Sequence, residues 1–147
     1  MKQRKSPRLA YFDYTSPGAY FVTLVCYQRK SLFGAIENDM LFMSPMGEIA
    51  HQAWSALPDR IASVELDHFT LMPNHLHGIL WLKENSPISL LQMINLFKGG
   101  VTRQANTRVW QRSFYERVIR HDDELNLIRQ YIINNPAKWA LDRLYHD

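Results

Sequence analysis

The chain carries one cysteine in 147 residues, which excludes an internal disulfide and any thiolate-rich zinc site. That residue, Cys26, closes the apolar run Phe21-Val-Thr-Leu-Val-Cys26. Thiolate chemistry needs partial exposure and positive surroundings, so the setting is that of a buried structural thiol. No apolar run approaches the roughly 20 residues that span a bilayer. The basic start Met1-Lys-Gln-Arg-Lys-Ser-Pro-Arg8 leads into no signal-peptide core. A cytoplasmic protein without a membrane partner is the expectation. Repeats, low-complexity stretches and long linkers are also missing, which leaves one domain over 1–147 with a basic N-terminal arm over 1–16. There is no Gly-rich phosphate loop, no Gly-x-Ser-x-Gly elbow and no deaminase zinc signature. A zinc deaminase is thereby excluded.

What is present is an ordinary globular balance, 46% apolar and 21% charged, with a formal net charge of +3. That charge permits nucleic-acid binding without requiring it. Its distribution is more telling. Lys2, Arg4, Lys5 and Arg8 cluster at the start, and Lys98, Arg103, Arg108, Arg112, Arg117 and Arg120 follow in the second half.

Periodicity and punctuation give the elements. After the Pro17-Gly18 turn, Ala19 to Tyr27 is rich in β-branched and aromatic residues and reads as a strand. Ser31 to Phe42 reads as a hairpin-like excursion turning at Glu37-Asn38-Asp39. Ser44-Pro45 opens a helix as cap and first residue, with Ile49, Ala53, Trp54 and Leu57 at helical spacing and Pro58 as its end. Val64–Met72 and His75–Leu82 read as strands joined tightly through Pro73-Asn74. Ser89 to about Ala105 is helical, weakened by Gly99-Gly100. Trp110 to Ile119 reads as a strand. A last helix begins at the acidic Asp122-Asp123-Glu124 and runs through Leu125, Ile128 and Ile132 to Asn135, before Pro136. The order βαββαβα is that of an α+β ferredoxin-like antiparallel sheet with two helices on one face, plus a C-terminal helix.

Two segments carry chemistry. In Met72-Pro-Asn-His-Leu-His-Gly78, His75 and His77 are two apart in a strand, so both imidazoles leave the same sheet face while Leu76 enters the core. Two side-by-side imidazoles can begin a divalent-metal site, and an exposed pair without function has the same pattern. In Ile128-Arg-Gln-Tyr-Ile-Ile-Asn-Asn-Pro136, Tyr131 and Asn135 are four apart and share a helix face. Alone, Tyr131 reads as a core-edge residue, and Asn135 is equally well explained as a helix end.

Together these fragments resemble the single-tyrosine HUH transposases (the IS200-like family), most closely the REP-associated tyrosine transposase branch. The resemblance spans nearly the whole chain through Tyr20-Phe-Val-Thr-Leu24, Leu71-Met-Pro-Asn-His-Leu-His77, Phe97-Lys98, Trp110-Gln-Arg-Ser-Phe-Tyr115 and Tyr131-Ile-Ile-Asn-Asn-Pro136. It implies a ferredoxin-like fold with the histidines on a central strand. It also implies His75 and His77 as metal ligands, Asn135 as the amide completing the site and Tyr131 as nucleophile. The metal would be Mg or Mn. The implied reaction is attack on single-stranded hairpin DNA to leave a 5′-phosphotyrosine and a free 3′-hydroxyl. Lys2, Arg4, Lys5, Arg8, Lys98, Arg103 and Arg112 are the candidates for holding the DNA backbone, each also readable as surface charge. Tyr115 is the rival nucleophile. A catalytically silent hairpin-binding protein and a metal-dependent phosphoesterase are the alternatives, and the implied assembly is a monomer or a homodimer.

Overall fold

The computed structural model describes residues 13–141; the basic residues Lys2, Arg4, Lys5 and Arg8 lie outside them. Strand β1 (Gly18–Val25) follows the Pro17-Gly18 turn, where Gly18 holds φ +130. A hairpin follows, β2 (Gly34–Glu37) and β3 (Met40–Met43), turning on Asn38 and Asp39. Both turn residues have positive φ, 53 and 61, the backbone twist that matches a two-residue hairpin.

Helix α1 (Pro45–Ser55) starts as its sequence dictates. The Ser44 hydroxyl accepts from the Gly47 amide at 3.0 Å and donates to the Leu32 carbonyl at 2.6 Å. Pro58 does not simply stop it: the chain tightens into a second short helix, α2 (Leu57–Arg60), with Pro58 in its first turn. Gly47 lies against backbone, since a Cβ there would meet the Phe33 carbonyl oxygen at 2.2 Å. Gly47→Ala should therefore destabilise the protein by about 2–3 kcal/mol, read as a lowered urea midpoint.

Strands β4 (Val64–Met72) and β5 (His75–Leu82) pair with Met72 opposite His75, so Pro73-Asn74 is the whole connection. Helix α3 (Leu90–Ala105) opens with a complete capping box from Ser89 and Gln92. It runs through Gly99 and Gly100, because Phe97 and Val101 are anchored in the core on either side of them. It ends at Asn106 in the left-handed conformation.

The last strand, β6 (Tyr115–Ile119), is shorter than the apolar run from Trp110 implies. Trp110 makes only an isolated bridge to Cys26, beyond the end of β1. The carbonyls of Gln111 and Arg112 then accept from Lys98 Nζ, at 2.8 and 3.3 Å, instead of from a strand. Helix α4 (Asp122–Asn134) follows, and a 3-10 turn over Pro136–Leu141 continues the chain past it.

The four long strands form one antiparallel sheet in the order β4-β5-β1-β6, the ferredoxin-like arrangement. Its two faces are packed differently. Tyr20, Val22, Leu24, Leu76 and Leu80 pack with Trp54 of α1 and with Met93, Ile94 and Phe97 of α3 in the main core. Gly78 leaves room there, since a Cβ would meet the Trp54 ring at 2.8 Å. Ala19, Ile79, Ile119, Leu125 and Ile132 make a second, smaller core that seats α4 on the opposite face. Strand β5 is covered on both sides, which is why it reads as a nearly continuous apolar run. Cys26 is fully buried, and burial pushes its thiol up to about 12. No helix of the described residues is long and apolar enough to cross a membrane.

Candidate active site: two histidines, a tyrosine and a buried amide

Strand alternation puts His75 and His77 on the α4 face, 0% and 4% exposed, with Leu76 in the main core between them. Buried imidazoles need partners, and each ring is held from behind. His75 Nδ1 donates to Asn74 Oδ1 at 2.7 Å. The same amide gives its Nδ2 hydrogen to the Arg29 carbonyl at 3.2 Å, which fixes which end faces the ring. His77 Nδ1 lies 2.8 Å from the Thr23 hydroxyl, on the residue paired with it across β1. Phe21 stacks on the His77 ring with centroids 5.4 Å apart. With both Nδ1 atoms engaged, the two Nε2 atoms converge to 3.0 Å.

Helix α4 brings the remaining groups. The Tyr131 hydroxyl reaches to 3.4 Å from His77 Nε2, and its ring meets His77 edge-on at 5.2 Å. One turn later Asn135 is 4% exposed, and its Oδ1 has no hydrogen-bond partner among the described residues. Nature rarely leaves a buried carbonyl oxygen unsatisfied. His77, Tyr131 and Asn135 line one open cleft of about 1980 Å³, with Arg29, Arg120 and Lys138 along its walls. From the 3-10 turn Trp139 approaches His75, ring centroids 6.1 Å apart.

These groups fit a divalent cation. Adjacent ligands on an octahedral ion with bonds of about 2.1 Å stand about 3.0 Å apart, the spacing of the two Nε2 atoms. No cluster of three His, Cys, Asp or Glu side chains occurs among the described residues; the buried, unpartnered Asn135 Oδ1 in the same cleft is a group that could serve as a third ligand. The Nδ1 contacts to Asn74 and Thr23 are of the kind that orient metal-binding imidazoles.

An ion pair that the sequence does not announce adds to the second core in holding α4 against the sheet. A bulge in β4 between Leu66 and Phe69 turns Asp67 toward α4. Its carboxylate accepts from Arg129 Nε at 2.9 Å, from the second Arg129 nitrogen at 2.6 Å and from Trp81 Nε1 at 2.9 Å. Arg129 first, then Trp81 and His68, hold this carboxyl far below the usual carboxylate range, against the opposing effect of burial. The contribution to stability is complete above the unfolded carboxylate range and falls away as the pH drops below it. Asp67→Asn should cost about 1–3 kcal/mol. By loosening the helix two residues from Tyr131 it should also slow any reaction of that tyrosine about 100-fold, measurable as a single-turnover rate beside a melting curve.

The other sequence candidates fall elsewhere. Lys98 is spent on the two carbonyls of the 111–112 segment, and Arg103 and Arg112 are exposed; none of the three lines the cleft. Tyr115 does line it, opposite Thr23 on the edge strand and two strands from His77. His121, on the helix boundary, lies at its rim. Sequence reading missed Thr23, Asn74, Arg29, Trp139 and the Asp67–Arg129 pair. Only Asn74, beside His75 in the chain, carried a local signal.

No family model matches the chain. An uncharacterised protein of Haemophilus influenzae is 36% identical over 169 residues, covering 98% of this chain and 94% of that protein. A second protein of the same organism, described as a "putative REP-associated tyrosine transposase", is 28% identical over 142 residues, covering 86% and 74%. Among solved structures, a REP-associated tyrosine transposase bound to a REP hairpin matches with a TM-score of 0.70 at 20% identity, over 94% of this chain and 74% of that one. A "putative transposase" from Deinococcus radiodurans matches with a TM-score of 0.51 at 18% identity, over 91% and 97%. The fold is thus that of a transposase, and fold and relatives together support a transposase function. The chain belongs to one family with the first Haemophilus protein, and the REP-associated tyrosine transposases are the named group it resembles.

Proposed function

We propose that the protein cuts and rejoins single-stranded hairpin DNA through Tyr131. The observation that carries this reading is Tyr131 itself, half exposed in an open cleft with its hydroxyl 3.4 Å from one of two converging, oriented imidazoles of the same chain. A tyrosine kept for packing would bury its ring; Tyr131 is 47% exposed and turns its oxygen to the histidines. The DNA partner is supported by the hairpin bound to the structural relative.

In this reading the Tyr131 oxygen bonds to phosphorus and the bond from phosphorus to the 3′ oxygen breaks. The phenol proton passes through solvent in the cleft to that leaving oxygen. A 5′-phosphotyrosine and a free 3′-hydroxyl result, and attack by another 3′-hydroxyl reverses the step and joins new ends. His75, His77 and Asn135 would hold a divalent ion, Mg or Mn, which supplies Lewis-acid polarisation of the phosphoryl oxygens when bound. Asn74 and Thr23 keep both Nε2 atoms turned to that position. Phe21 and the second core keep the helix and the strand in step. The Asp67–Arg129 pair, within one chain, favours a tyrosine that serves its own histidines.

The test is direct. The protein, labelled single-stranded hairpin DNA and Mg or Mn are incubated and run on a denaturing gel. A labelled adduct at the mass of protein plus DNA is expected, dependent on the metal. Cleavage by water with no adduct would instead identify a phosphoesterase, and binding without cleavage a silent hairpin-binding protein.

A further inference from the structure

One short segment of the cleft wall is a tight turn built from residues that rarely adopt its conformation. Between the end of β1 and the hairpin, Gln28 and Arg29 both occupy the left-handed region, with φ +54 and +57. Neither is glycine, and two successive side-chain-bearing residues in that region are costly to hold. The turn is nevertheless fully tied. The Arg29 amide donates to the Cys26 carbonyl at 2.9 Å and the Lys30 amide to that of Tyr27 at 3.1 Å. The Arg29 carbonyl accepts from Asn74 Nδ2 at 3.2 Å.

Asn74 is fully buried, and its other end accepts from His75 Nδ1. One amide therefore sets both the face that His75 presents and the position of the Arg29 backbone. The exposed Arg29 side chain lines the same cleft as His77, Tyr131 and Asn135. Strain that persists beside reactive groups is characteristic of a functional constraint. A planar guanidinium is the side chain best matched to two oxygens of one phosphate.

We propose that Arg29 is a catalytic residue that grips the phosphate under attack, with Asn74 as the positioning residue that ties its turn to the histidine pair. The proposal rests on the tyrosine reading above. Charge builds on the phosphoryl oxygens as the new bond forms, so a cation aimed there acts more on rate than on affinity. Among the cations that line the cleft, Arg29 is the one whose backbone Asn74 ties to His75.

Three variants test it: Arg29→Ala, Arg29→Lys and Arg29→Gly. Glycine is at ease at positive φ, so Arg29→Gly should melt no lower than the parent while losing the side chain. Single-turnover adduct formation on hairpin DNA should fall about 100-fold in the alanine and glycine variants. Affinity for the uncut hairpin should stay within about threefold. Lysine, a point charge without the fork, should recover less than about a tenth of the parent rate. Adduct formation within threefold of the parent in Arg29→Ala overturns the assignment and leaves Tyr131 standing. So does an equal loss of affinity and rate, which would make Arg29 a general backbone contact, or a lower melting point for Arg29→Gly. A parent protein that forms no adduct overturns the tyrosine reading and this proposal together.

Discussion

Tyr131→Phe should leave the protein folded and abolish the covalent attachment to DNA proposed for it. The change removes one oxygen from a ring that is half exposed and meets Phe21 edge-on at 6.4 Å, a contact phenylalanine keeps. The stability cost should stay within about 0.5 kcal/mol, as for most surface substitutions. Adduct formation should fall by at least about 1000-fold, because removal of a nucleophile leaves only what binding and electrostatics contribute. Tyr115→Phe is the matched control. Tyr115 shares the cleft but stands on the edge strand beyond Thr23, away from the convergent nitrogens. An adduct that persists in Tyr131→Phe and disappears in Tyr115→Phe would transfer the nucleophile's role to Tyr115.

His77→Ala should strike the proposed metal site, read by titrating Mn into the protein without DNA. His77 lies at the centre of the arrangement, with Thr23 behind it, His75 beside it and Tyr131 in front. Its removal should weaken Mn binding by at least about 100-fold, since even residues behind metal ligands are worth 10–100-fold. Adduct formation should be lost with it. Asn135→Ala separates function from folding more sharply. Asn135 Oδ1 is buried and unpartnered among the described residues, so its removal relieves a desolvated group and should not lower stability. Mn affinity should nevertheless drop. Unchanged Mn affinity in Asn135→Ala would remove it from the ligand set, and tight Mn binding by His77→Ala would place the metal elsewhere.

Local chemistry made much of the fold readable in advance. Strands β4 and β5 meet where Pro73-Asn74 places the turn between them. The Ser44 and Ser89 caps mark their helices because a cap is satisfied within three residues. The segment from Trp110 misled because aromatic, apolar composition says where side chains are buried and not whether the backbone is paired. Trp110 and Phe114 are both buried, yet β6 begins only at Tyr115. The site divides along the same line. That His75 and His77 share a face follows from spacing two. What stands behind them does not, because Thr23 lies 54 residues from His77 and Asp67 lies 62 residues from Arg129. Register and a bulge bring those pairs together, and neither has a local signature.

The two separate cores have a consequence for how this sequence can drift. Along β1, Tyr20, Val22 and Leu24 belong to the packing under α1 and α3, whereas Phe21 and Thr23 touch His77. Leu76 repeats the division on β5, between two histidines. Around the histidines, the parity of a residue's number decides whether its replacement is felt in the main core or beside the imidazoles. A lineage could therefore change the lining of the cleft through Phe21 and Thr23 while Tyr20, Val22 and Leu24 keep the main core intact.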